Sequence, residues 1–228
     1  MKISYITYKR KVHIDCYNFE FCKEKTILFA HGFPGTNRLP GIITHLRKKG
    51  FSWVEINYKG DKKTKGKFSF LGSIEDIKDA TNWIQSQFNP YKLYILGYSY
   101  GGFCTLNLIR ENPNLYDKVL LLNPVIDAEF FKIHPIMPSL WDIAEKILKL
   151  YPKDFYREEI EKIINNYNPI KFTHELKDNL YIIQSTEDML CLKELAKEFA
   201  KITNSTFIPL LDKGHDLKGE ELINILPL

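Results

Sequence analysis

Lys92-Leu93-Tyr94-Ile95-Leu96, then Gly97-Tyr98-Ser99-Tyr100-Gly101-Gly102, then Phe103 to Arg110 is the stretch on which the reading of the whole chain turns. The first five residues are a short apolar run of the kind that forms a buried strand. Phe103, Leu106, Asn107 and Ile109-Arg110 follow with helix-like spacing, and Asn112-Pro113 stops the run. Between them lies G-x-S-x-G. A serine at a strand-to-helix junction this tight needs nearly side-chain-free neighbours, which Gly97 and Gly101 supply. The turn lifts the Ser99 hydroxyl clear of the sheet to a helix N-terminus, where backbone amides favour developing negative charge. Ser99 is therefore the candidate nucleophile.

Outward from this junction, strands and helices alternate. A hairpin is expected at Lys2 to Tyr8 and Val12 to Cys16. Further strands are expected at Thr26 to Ala30, Trp53 to Asn57, Lys92 to Leu96, Lys118 to Leu122, Leu180 to Gln184 and Thr206 to Leu210. Helical spacing marks Ile42 to Lys49, Ser73 to Phe88, Tyr100 to Glu111, Leu190 to Ile202 and Glu220 to Ile225, with Ser73 and Asp76 as an N-cap signature. This is an α/β chain with a mostly parallel sheet and an antiparallel start. Residues 123–179 exceed an ordinary α/β connection. They hold helical patterns at Leu140 to Leu150 and Tyr156 to Tyr167 and many apolar side chains, among them Phe130, Phe131, Ile136, Leu140 and Trp141. A small helical cap at about 125–173, within one domain spanning 1–228, is the expectation.

At 228 residues and 44% hydrophobic content, the chain suits one core. The net charge of +4 is mild, and the run Lys59, Lys62, Lys63, Lys65 and Lys67 lacks interleaved arginines and stacking aromatics. It reads as a solvated loop, with no nucleic-acid partner. No leader or apolar span is visible, so the default is a cytoplasmic protein with no membrane partner. Cys16, Cys22, Cys104 and Cys191 show no C-x-x-C pair or metal-ligand spacing, and reduced structural thiols are expected. The oligomeric state is not legible.

A serine nucleophile needs a histidine to take its proton and an acid to orient that histidine. His134, His174 and His215 lie downstream of Ser99. His215, in Asp212-Lys213-Gly214-His215-Asp216 just after the last strand, occupies the place the mechanism requires. Asp188, in the loop after the strand Leu180 to Gln184, is the leading acid, and Glu187 and Asp127 stay open as alternatives. An oxyanion hole needs two backbone N–H donors, worth roughly 3 kcal/mol each. Tyr100 and Phe33, the latter in His31-Gly32-Phe33-Pro34-Gly35-Thr36-Asn37, are the candidates. His31 is read as bracing that loop. The reaction needs no cofactor and no metal.

H-G-F-P-G, G-Y-S-Y-G-G, T-E-D and G-H-D, in this order, resemble the α/β-hydrolase superfamily over nearly the whole chain. His31-Gly32-Phe33, Gly66-Lys67-Phe68-Ser69-Phe70 and Ile74 to Ala80 are similar to compact microbial carboxylesterases of the feruloyl/cinnamoyl-esterase kind, which carry a small cap between the sixth and seventh core strands. The resemblance implies the triad Ser99, Asp188 and His215, the oxyanion amides of Phe33 and Tyr100, and a small-molecule ester substrate. The lysine run after Asp61 departs from the short glycine-serine turn of these relatives. A peptidase of the prolyl-oligopeptidase type or a thioesterase would use the same residues. A catalytically silent binding protein of this fold is the reading from another class, and the complete set of triad residues weighs against it.

Overall fold

The strands that form are β1 (Lys2–Ile6), β2 (His13–Tyr17), β3 (Lys25–Ala30), β4 (Ser52–Asn57), β5 (Lys92–Tyr98), β6 (Lys118–Leu122), β7 (Leu180–Ser185) and β8 (Thr206–Leu210). In the computed structural model, which describes residues 2–35, 39, 41–173, 176, 179–222 and 224–228, they make one sheet in the order β1-β2-β4-β3-β5-β6-β7-β8. The pairs β1–β2 and β2–β4 are antiparallel and every later pair is parallel. Thr36, Asn37 and His174 lie outside the described residues.

The helices are α1 (Ile42–Lys48), α2 (Phe70–Phe88), α3 (Tyr100–Glu111), α4 (Phe130–Ile133), α5 (Met137–Ile147), α6 (Lys153–Asn166), α7 (Lys193–Ile202) and α8 (Gly219–Leu222). Two cores lie on opposite faces of the sheet. Leu28, Ile95 and Leu121 pack with α2, α3 and α7 on one, and Phe29, Leu96 and Leu122 pack with α1 and α8 on the other. That is why the central strands read as continuous apolar runs rather than alternating ones. Among the described residues no helix is long and apolar enough to cross a membrane. All four cysteines are free and buried.

One expected cap is wrong. Helix α2 starts a turn before Ser73, and Ser69 caps it, its hydroxyl accepting from the Gly72 amide at 2.9 Å. The carboxylate of Glu159 on α6 accepts from the Phe70 and Leu71 amides, both at 3.0 Å. An anion from a distant helix thus sits where the helix dipole favours it. Asp76 serves another purpose. It accepts from the Lys59 amide at 2.8 Å and from Arg10 Nε at 2.7 Å, fastening the N-terminal hairpin and the lysine-rich loop to α2.

The junction at Ser99 is packed without slack. A Cβ on Gly101 would lie 1.9 Å from the Ala30 carbonyl oxygen, so α3 touches the end of β3 backbone to backbone. Gly101→Ala is therefore expected to destabilise by about 3 kcal/mol or more. For a chain of this size that lowers Tm by roughly 10 °C, read by calorimetry.

The lysine loop is not wholly solvated. Lys63 Nζ lies 2.8 Å from Asp15 Oδ2, and Ser4 donates to Asp15 Oδ1 at 2.6 Å. Burial pushes the Asp15 carboxyl up, but the bonds from Lys63 and Ser4 outweigh it and hold the pKa at about 2. A depressed folded-state pKa stabilises the protein above the ordinary carboxylate range, and that contribution is lost as the pH falls from about 4 to about 2. Lys63→Met is expected to cost about 1–2 kcal/mol at neutral pH and to flatten the loss of stability over that acid window, measured by urea denaturation at stepped pH.

Candidate active site

Ser99 sits between β5 and α3 with φ 53° and ψ −116°, a backbone conformation that non-glycine residues rarely adopt. Backbone hydrogen bonds fix it, among them one from the Phe103 amide to its carbonyl at 3.3 Å. Its N–H donates to the Leu122 carbonyl at 2.9 Å, and its carbonyl accepts from Gly102 at 2.9 Å and Val125 at 3.1 Å. A Cβ on Gly97 would lie 2.6 Å from Thr105 Oγ1 and 2.7 Å from the Gly101 carbonyl oxygen. The residue is 8% exposed.

The structure brings His215 and Asp188 to it. His215 Nε2 is 3.0 Å from Ser99 Oγ, and His215 Nδ1 is 2.8 Å from Asp188 Oδ2. Asp188 is buried, and it also accepts from the Leu190 amide at 2.8 Å, the Cys191 amide at 2.9 Å and Gln184 Nε2 at 3.2 Å. A carboxylate so surrounded only accepts, so Nδ1 of a neutral His215 carries the proton. Nε2 is then left to accept from the Ser99 hydroxyl. Chemically, this is a serine poised to lose its proton to a fixed imidazole.

The alternative acids stand elsewhere. Asp127 accepts from Asn168 Nδ2 at 2.8 Å and from the Glu129 amide at 3.1 Å, and Glu187 is exposed. His134 accepts at Nδ1 from the Ile136 amide and packs on Phe130. His31 Nδ1 donates to the Gly32 carbonyl at 2.8 Å and its ring lies 4.4 Å from that of Tyr58, the bracing position expected of it.

Phe33 and Tyr100 line, with Ser99 and His215, a cavity of about 210 Å³ that also takes in Phe130, Phe131, Ile136 and Leu140. Tyr100 opens α3, so its N–H is one of those with no acceptor inside the helix. Its phenol is buried, donates to the Phe70 carbonyl at 2.8 Å and is pushed well above its ordinary pKa by that burial. The ring is structural.

Asp188, Cys191 and His215 offer ligand atoms within 4.8 Å of one another. They fit a hydrogen-bonded pair better than a cation. The Asp188 oxygens are already satisfied by four donors, and burial, with Asp188 alongside, pushes the Cys191 thiol far above the range where it would ionise to a thiolate ligand.

Two residues to which the sequence motifs assign no role position the histidine. Asn123, at φ 44°, donates from Nδ2 to the His215 carbonyl at 2.9 Å and to Ser185 Oγ at 3.0 Å, and accepts from the Ser185 amide at 2.8 Å. Tyr98 donates to the same His215 carbonyl at 3.0 Å and stacks on its ring at 5.4 Å. An asparagine directly after β6 and before Pro124 is the one available clue, because asparagine tolerates positive φ.

Comparison with known proteins agrees with this architecture. The probable aminopeptidase YbaC of Bacillus subtilis is 26% identical over 116 residues, covering 47% of this chain and 36% of the relative. The uncharacterized protein YfhR of Escherichia coli O157:H7 is 24% identical over 205 residues, covering 88% and 69%. The chain thus spans about a third of the first relative and somewhat over two thirds of the second. An alpha-beta serine hydrolase homologue from Coxiella burnetii superposes with a TM-score of 0.65 at 15% identity, covering 98% of this chain and 95% of that one. The family model of the alpha/beta hydrolase fold matches residues 25–170, from β3 through the elbow and α6, and the chain belongs to that family.

Proposed function

We propose that this chain is a serine carboxylesterase, cleaving esters with an apolar or aromatic acyl or alcohol group through an acyl-enzyme. The observation that supports it is the continuous line Asp188–His215–Ser99 opening into a small cavity lined mostly by apolar side chains. Ser99 Oγ attacks the ester carbonyl carbon while His215 Nε2 takes its proton. The negative charge gathers on the former carbonyl oxygen, which the Phe33 and Tyr100 amides stabilise. The intermediate collapses, and His215 returns the proton to the departing alcohol. Water, deprotonated by the same nitrogen, then releases the acid and restores Ser99. Asp188 holds the imidazole in the required tautomer and stabilises it when charged. The helices between β6 and β7 act as a cap over the cavity. By resemblance to feruloyl/cinnamoyl esterases, a hydroxycinnamate ester is the first aromatic substrate to test.

A peptidase is the second reading, favoured by the name of the Bacillus relative. The same three residues serve it. Besides His215, the cavity's one ionisable acid among the described residues is Asp216, which accepts from the Tyr98 hydroxyl at 3.2 Å.

A fluorophosphonate probe is expected to label the native protein and not Ser99→Ala, and p-nitrophenyl esters should turn over at least about a hundredfold faster than p-nitroanilides of the same acyl group. No labelling of folded protein removes the hydrolase reading; the reverse ester-to-anilide ranking moves it to peptidase. Asp188→Asn should cost roughly a thousandfold or more in kcat. Asp127→Asn should cost less than about tenfold, and the opposite order in steady-state kinetics would relocate the acid.

A further inference from the structure

The cavity over Ser99 shares two lining residues, Phe130 and Leu190, with a second one of about 330 Å³. The second is a groove between the segment Pro124 to Pro135, which follows β6, and the segment Leu190 to Leu195, which runs into α7. Val125, Ile126 and Cys191 form its buried part. Ile133, 70% exposed, and Leu192, 55% exposed, stand on its lining, and Met189, 78% exposed, adjoins it in the chain. Three polar side chains also line it, those of Asp127, Glu129 and His134. Asp127 accepts from Asn168 and the Glu129 amide, and His134 from the Ile136 amide. Large apolar side chains gathered in the open around an apolar groove mark a surface that something covers.

The groove adjoins the cavity of the reacting serine. Phe130 and Leu190 each line both cavities, so the two lie side by side across these side chains, and a chain leaving the carbonyl at Ser99 would enter the groove by way of them. We propose that the two cavities are compartments of one substrate site, and that the site takes esters bearing a long apolar chain, with the carbonyl at Ser99 and the tail seated in the groove. The proposal rests on the esterase reading. It adds to it a substrate class, aliphatic esters of long chain length, and a set of specificity residues outside the triad: Ile133, Leu192 and Leu195 along the groove, with Phe130 and Leu190 at the passage.

Full burial of a methylene is worth about fourfold in an equilibrium or rate constant, and a groove open along one side gives roughly half of that free energy, or about twofold per methylene. The test uses two series on the native chain. One is p-nitrophenyl acetate, butyrate, octanoate and dodecanoate; the other is the acetates of ethanol, butanol, octanol and dodecanol, followed by acid release. In one series kcat/KM is expected to rise by about twofold per methylene beyond the four-carbon member, and which series rises tells whether the acyl or the alcohol chain enters the groove. In the double variant Ile133→Gln, Leu192→Gln, both at exposed positions, the ratio of kcat/KM for the longest to the shortest member of that series is expected to fall by about tenfold. A native protein that labels with fluorophosphonate yet shows flat or falling profiles in both series overturns the proposal and leaves the esterase reading standing. So does a double variant whose long-to-short ratio matches the native one. A folded native protein that fails to label overturns the esterase reading, and this proposal with it.

Discussion

Everything at the site hangs on one strained residue. Ser99 at φ 53° and ψ −116° costs on the order of 1–3 kcal/mol, and such a conformation persists only where the surroundings over-determine it. Here they do. Its N–H and carbonyl are committed to Leu122, Gly102 and Val125, and its glycine neighbours leave no room for the chain to relax. Gly101 rests on the end of β3, Gly97 on Thr105, and Gly102 on Pro124, so the strain is supported from strands on both sides of β5 and from the helix that follows. A serine in an ordinary helix would point its hydroxyl along the helix surface. This one is presented at the sheet's edge because its backbone cannot do otherwise.

That constraint explains the topology around it. Strands β3, β5, β6, β7 and β8 run parallel, so the loops carrying Phe33, Ser99, Asn123, Asp188 and His215 leave the sheet at one edge. Ser99 and His215, 116 residues apart, meet at 3.0 Å because of strand order and not local sequence. The meeting is held from behind by Asn123 and Tyr98, which both donate to the His215 carbonyl. They fix the loop's main chain, so the imidazole has little freedom left to lose when it accepts a proton.

Much of this is legible in the sequence because the chemistry is written in residues whose roles are local. Glycines flanking Ser99 are required by the turn itself, and an acid and a histidine after successive strands follow from the sheet edge they must reach. The strands are readable because short apolar runs bounded by turns and alternating with helical spacing fit a buried parallel sheet. What stays hidden is what acts across distance. Ser73 resembles a cap because it precedes Asp76, yet Ser69 does that work with help from Glu159, about ninety residues on. Asn123 and Tyr98 bond to main chain far along the sequence, and neither periodicity nor spacing records such a contact. The lysine run departs from a solvated loop for the same reason: Lys63 finds its buried partner, Asp15, on β2.

The segment between β6 and β7 is bound to the same constraint from the other side. Phe33 lies with its ring 5.2 Å from Phe68 and 5.3 Å from both Phe70 and Trp141, the last on α5. Glu159 on α6 ties the start of α2, where Phe70 sits, to the same assembly. Aromatic packing of this kind contributes beyond area burial only while its geometry is kept. The residue whose amide is proposed to meet the oxyanion is thus positioned by side chains of the segment proposed to cover the substrate. Cover and catalysis are then mechanically one unit: a substrate that displaces α5 to gain room also loosens Phe33, and loses the stabilisation that would have rewarded it. Chain length is better accommodated sideways, past Phe130 and Leu190. Among the described residues the Phe130 ring packs on Phe131 and His134 rather than on the edge-to-face Trp141–Phe33 pair, so a tail passing there would leave the loop of Phe33 in place.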